Sequence, residues 1–364
     1  MTNKSQQTSR EVIVISIRKQ RKNQHLSIAY AANDGPSTSG FENVHLINDS
    51  VPELNIDDTD ISTQFLGKKV STPLIINAIT GGTAEAKRIN ASLAYVAAQK
   101  NIAMAVGSQT IGIDDHNVRD SFTVVREKNP DGIVLANVSA GVNPDIALEA
   151  IEMIGADGLQ LHFNVPQELA MPEGDRNFKG TLKNIETIVS KSNVPIIAKE
   201  VGFGFSANSV NKLYNSGINI FDIGGKGGTN FINIEDQRKG MFMGELDDWG
   251  IPTACSLAEI VDLNYPIQII ASGGIRTAYD AAKALAIGAD LVGIASPFLK
   301  ILLQQGVDEL SSFVDSNIYK LKAVTLMTGA KNIKEIKTKP VIITKDTAEW
   351  LSLRGVDPYQ WSKK

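Results

Sequence analysis

From residue 73 onward the chain alternates short apolar runs with longer amphipathic ones. The apolar runs are PLIINAIT (73–80), IAMAVG (102–107), IVLANVS (133–139), GLQLHFN (158–164), PIIAKEVG (195–202), IFDIGGKG (220–227), QIIASGG (268–274) and LVGIAS (291–296). Between and after them, helical periodicity is expected over 84–100, 119–128, 144–155, 179–192, 206–217, 256–264, 277–288 and 297–306. The strands are continuously apolar, as a parallel sheet covered on both faces requires. Gly155, Gly217, Gly288 and Gly306 stand where helix C-caps are wanted. Eight strand–helix units in a row predict an α/β chain folded as a (β/α)8 TIM barrel over 73–306. An open, doubly wound sheet is the alternative. Residues 1–72 form an N-terminal extension flanking the barrel mouth, and 307–364 a C-terminal helical tail completing the same domain.

Composition narrows the class. The chain has 364 residues, 43% hydrophobic, and a net charge of −4, which argues against nucleic-acid binding. A single cysteine, Cys255, precludes an internal disulfide and suits a reducing compartment. The N-terminus, MTNKSQQTSREVIV, lacks the apolar core of a signal peptide. No window approaches the roughly 18 uninterrupted apolar residues of a membrane span. A cytoplasmic protein with no nucleic-acid or membrane partner is therefore expected.

In such a barrel, chemistry sits at the C-terminal ends of the strands. Those positions hold Thr80, Ser108, Gln109, Asn137, His162, Asn164, Lys199, Gly225 to Thr229, Gly273, Gly274, Ala295 and Ser296. Polar groups ending one apolar strand after another are hard to explain as packing. The loops after strands 7 and 8, SGGIR and ASP, suit a phosphate, and the helix after strand 7 is expected to offer its N-terminus to it. Lys199 faces either an electron-rich ligand or a barrel acid; strand alternation turns it away from Glu200. After strand 4 the chain breaks into QELAMPEGDR (167–176), dense in amides and charge. Trp249 and Cys255 read as packing.

RKNQHL (21–26), ITGG (79–82), QLHFNVPQELAMPEGDR (160–176), KEVGFGFS (199–206), GGKGGTNF (224–231) and ASGGIR (271–276) together resemble the type 2, FMN-dependent isopentenyl-diphosphate isomerases. The resemblance runs along almost the whole chain, and QE…MPEGDR is its most specific element. Ile79, Thr110, Lys226 and Asn230 depart from the family's usual residues. The resemblance implies interconversion of isopentenyl and dimethylallyl diphosphate in isoprenoid biosynthesis. It further implies FMN, Mg2+, NADPH as the reductant of the flavin, and a homotetramer or homooctamer. Carried over by position, FMN contacts are Ala78, Ile79, Thr80, Ser108, Asn137, Lys199, Thr229, Gly273, Gly274, Ile275, Arg276, Ala295 and Ser296. The substrate falls to Arg21, Lys22, His25 and Gln167, the metal to Glu168, and catalysis to Gln167, His162 and Lys199. No carboxylate pair suited to protonating an unactivated alkene stands out, which directs the acid–base role to reduced FMN. The rival expectations are an FMN-dependent oxidoreductase and a non-catalytic phosphate- or flavin-binding barrel.

Overall fold

The computed structural model describes residues 37–364, together with Gln24. The apolar runs become eight parallel strands: β1 (Leu74–Ile76), β2 (Ala103–Ala105), β3 (Val134–Ser139), β4 (Gly158–Phe163), β5 (Ile196–Glu200), β6 (Ile220–Asp222), β7 (Gln268–Ser272) and β8 (Leu291–Ile294). They pair in chain order, and β8 closes on β1 with Val292 opposite Leu74. Closure excludes the open sheet. Helices α1 (Ala84–Lys100), α2 (Asp120–Lys128), α3 (Pro144–Ile154), α4 (Thr181–Lys191), α5 (Ala207–Asn215), α6 (Thr253–Asp262), α7 (Ala278–Ile287) and α8 (Ser296–Gln305) surround the barrel.

The strands look uniformly apolar because their lower halves are apolar on both faces. Outward residues such as Leu74, Val134, Leu159, Phe221 and Val292 pack in the large core under the helices. Inward, Ile75, Ala103, Leu135, Ile197, Ile220, Ile270 and Leu291 fill the barrel floor. A hairpin of Thr63–Phe65 and Lys68–Val70 presses Phe65 and Val70 against that floor and closes it. Two residues further along, the inward position turns polar on six of the eight strands: Asn77, Asn137, Gln160, Lys199, Asp222 and Ser272, all buried. This layer separates floor from mouth.

Several strands are shorter than their apolar runs. β1 ends at Ile76 and β6 at Asp222, after which the backbone leaves the ladder to line the mouth. Three short helices that periodicity did not announce sit there: Thr110–Asp114, Val165–Ala170 and Phe231–Lys239. The last grows out of the glycine-bearing loop because Asn230 caps it, its side chain accepting the N–H groups of Ile232 and Asn233. At the flanks, Val44–Leu46 pairs antiparallel with Val341–Ile343, and Trp361 is buried with its indole N–H on the Ile287 carbonyl at 2.8 Å. Cys255 is buried, but Trp249 is 58% exposed and so does not serve packing.

Candidate active site

A cavity of about 630 Å3 opens at the C-terminal ends of the strands. Ala78, Ile79, Thr80, Ser108, Asn137, His162, Gln167, Glu168, Lys199, Thr229, Gly273 to Arg276, Ala295 and Ser296 all line it. Strand ends separated by up to two hundred residues of chain are thus brought to one wall. Arg21, Lys22 and His25 lie outside the described residues.

The loop after β4 splits into structural and available parts. Asn164 donates its amide to Glu168 Oε1 at 2.8 Å, and the Asp175 N–H donates to Oε2 at 2.9 Å. Arg176 spends its guanidinium on the carbonyls of Glu168, Met171 and Gly174, stapling the loop into a hook. Glu168 is held at the cavity wall. Each of its oxygens keeps a lone pair, and magnesium commonly takes one or two carboxylates plus substrate phosphates. Among the described residues no cluster of three metal-binding side chains exists.

Sequence reading missed Glu235. It lies on Phe231–Lys239, fully buried, and accepts the Gln167 amide at 3.4 Å. Arg238 pairs with it and with Glu173 at 3.3 Å, joining the loops after β4 and β6. The helix that carries it was not announced by periodicity. Asn77, Gln160, Asp222 and Ser272 were likewise passed over. Asn77, Asp222 and Ser272 each follow an inward floor residue (Ile75, Ile220, Ile270) by two positions, and Gln160 precedes His162 by two, because side chains repeat every second residue on one face.

Lys199 meets a barrel acid. Its Nζ is 3.2 Å from Asp222 Oδ2 and donates to the Glu200 carbonyl at 3.1 Å. Glu200 points the other way, as alternation demands, and its Oε2 accepts the N–H groups of Val201, Gly202, Phe203 and Gly204. Burial pushes its carboxyl up to about 7, against the downward pull of those N–H donors and Lys199. The nest shapes a turn whose Val201 and Gly202 line the cavity.

The glycine loops interlock. Gly273 and Gly274 have φ of 100° and 69°, and a Cβ on Gly273 would lie 2.1 Å from the Gly225 carbonyl oxygen. Arg276 donates to the carbonyls of Gly274 at 2.8 Å and Gly227 at 2.6 Å, tying the loops after β6 and β7 together. Lys226 turns away onto Asp248 at 2.9 Å. The expectation that α7 offers its N-terminus is corrected, since Thr277 and Asp280 form a capping box there. The N-terminus of α8 has no side-chain cap, and Ala295, Ser296 and Pro297 bring it to the cavity. A helix end with unsatisfied N–H groups suits a phosphate.

The profile of the FMN-dependent dehydrogenase family matches residues 141–343. Over most of its length the chain is similar to proteins named isopentenyl-diphosphate delta-isomerase. It is 49% identical to that of Moorella thermoacetica, across 93% of this chain and 97% of the relative. It is 45% identical to that of Symbiobacterium thermophilum, across 94% and 97%. The chain belongs to the type 2, flavin-dependent isopentenyl-diphosphate delta-isomerases. Among solved structures it resembles a mandelate oxidase variant bearing a monooxide FMN adduct, with a TM-score of 0.65 at 16% identity over 87% of this chain and 95% of the other. A flavocytochrome b2 variant with sulfite bound also gives 0.65, at 19% identity over 86% and 81%. At such identities the structural likeness speaks for the barrel alone.

Proposed function

We propose that this member of the isomerase family interconverts isopentenyl diphosphate and dimethylallyl diphosphate. It holds reduced FMN and the substrate together in the 630 Å3 cavity, a size within the usual range for bound ligands. The observation that carries this reading is the meeting, in one cavity, of a phosphate-type end, a buried lysine and an available carboxylate. Bound and reduced, FMN supplies a ring nitrogen able to give and take a proton beside an electron-rich ring.

The chain's own residues do the rest. The α8 N-terminus and the loop at Gly273 and Gly274 offer N–H groups to the cofactor's phosphate. Ile79, Ile275 and Ile294 give a flat ring apolar walls. Lys199 supplies fixed positive charge where negative charge gathers on such a ring. Glu168 supplies magnesium with one carboxylate, the diphosphate contributing the other charged oxygens. Gln167 and His162, both on the cavity wall, serve the five-carbon group. Arg21, Lys22 and His25 complete the reading as diphosphate partners, Arg21 through its planar fork.

NADPH as reductant, a homotetramer or homooctamer and a cytoplasmic setting belong to the same proposal. Purified protein, acid-precipitated, is expected to release FMN and leave a colourless pellet. Anaerobic protein with dithionite and magnesium should convert isopentenyl diphosphate, and NADPH should activate at amounts far below the product formed. Consumption of one NADPH per product would instead assign the site to an oxidoreductase. Light scattering reads the assembly mass.

A further inference from the structure

Asp222 ends β6 with no exposure to solvent, and every group around its carboxylate is a donor. Asn77 Nδ2 donates to Oδ2 at 2.7 Å and Gln160 Nε2 to the same oxygen at 3.3 Å. The Ser272 hydroxyl donates to Oδ1, and the Lys199 ammonium lies 3.2 Å from Oδ2. An ionised carboxylate only accepts. It therefore turns the NH2 of Gln160 inward, where the same nitrogen also donates to Asn77 Oδ1 at 3.0 Å.

The consequence passes outward one group at a time. Gln160 Oε1 is left to accept, and it takes Asn137 Nδ2 at 2.9 Å. Asn137 Oδ1 is left to accept in turn, and it faces His162 Nδ1 at 2.9 Å. A ring nitrogen set against an amide oxygen carries the proton. Asp222, Gln160, Asn137 and Asn77 are each no more than 3% exposed, so water has little access to replace any link.

We infer that Asp222 is a positioning residue that sets the tautomer of His162 at the barrel mouth, acting through Gln160 and Asn137. The neutral ring carries its proton on Nδ1 and its lone pair on Nε2. At Nε2, His162 accepts a hydrogen bond when neutral and donates one only as the imidazolium. The four side chains come from β3, β4 and β6, and the parallel register that sets Asn137 opposite Gln160 is what lets the polarity cross strands. What the tautomer contributes to turnover rests on the isomerase reading; the tautomer itself does not.

The test is nitrogen NMR of 15N-histidine-labelled holoenzyme, which has four histidines, with His162 assigned by its loss in His162→Gln. The expected wild-type signal is that of an Nδ1–H imidazole. Asp222→Asn should change it, because an amide presents donor and acceptor alike. Gln160→Met cuts the chain while sparing the pair of Lys199 with Asp222, and covers the case in which Asp222→Asn fails to fold. It frees Asn137 to turn its amide, so the Nδ1–H signal should be lost with FMN content unchanged. Isomerase kcat should then fall on the order of 10- to 100-fold with KM little altered. An Nε2–H tautomer in the wild type, or an unchanged Nδ1–H signal in Gln160→Met, overturns the inference. If the tautomer behaves as expected while the wild type fails to isomerise isopentenyl diphosphate, the functional reading falls and the inference stands.

Discussion

Lys199 and Asp222 stand opposite each other in the β5–β6 register, with Nζ 3.2 Å from Oδ2. The pair is almost sealed, and removing one member leaves the other charge uncompensated. Breaking such a pair typically costs about 3–5 kcal/mol. Lys199→Met should therefore lower stability in urea by that order and weaken FMN retention. Adding Asp222→Asn should recover much of the stability without recovering activity. A double variant no more stable than Lys199→Met would show that the two charges are not coupled.

Glu168→Gln should keep the fold and the bound FMN and lose most activity together with its response to magnesium. Loss of one charge-assisted contact to a diphosphate or its ion is worth roughly 2–5 kcal/mol. Undiminished activation by magnesium in the variant would remove Glu168 as the metal ligand.

Gly174 packs against the residue it serves. A Cβ there would lie 2.1 Å from the Glu168 carbonyl oxygen and 2.9 Å from its Cα. Gly174→Ala should push the hook open and raise the magnesium concentration needed for half activation, with melting temperature little changed because the loop is on the surface. Wild-type magnesium dependence would refute the hook's role.

Glu200 predicts a pH effect of definite sign. Its carboxyl titrates near 4.5 when unfolded and is pushed up to about 7 by burial in the folded chain. Between those values the folded state binds more protons than the unfolded one, so stability falls as pH rises through the window. The total is about 3 kcal/mol. Glu200→Gln keeps an acceptor for the four N–H groups and should flatten the slope. Urea unfolding from pH 4.5 to 8 reads it; equal slopes in wild type and variant would sink the idea.

Arg21→Ala should mainly raise KM for isopentenyl diphosphate. A contact to the diphosphate that is equally strong before and during reaction affects binding more than turnover. A fall in kcat at constant KM would contradict it.

Much of this was legible in the chain itself. The alternation of apolar runs with amphipathic ones dictates a parallel sheet covered by helices, and eight such units point to a barrel, whose closure the structure then decides. Barrel geometry then turns strand-end residues such as Ser108, Asn137, His162 and Lys199 into the lining of a single mouth. Those are local properties, carried by period and position. What only the tertiary structure decided is who meets whom. That the acid Lys199 meets is Asp222, and that Gln160 links Asn137 to Asp222, depends on strand register across the barrel. Glu235 became part of the site only because a helix formed in a presumed loop and folded back over Gln167. Pairings of this kind are set by register and closure, which no single segment of sequence contains.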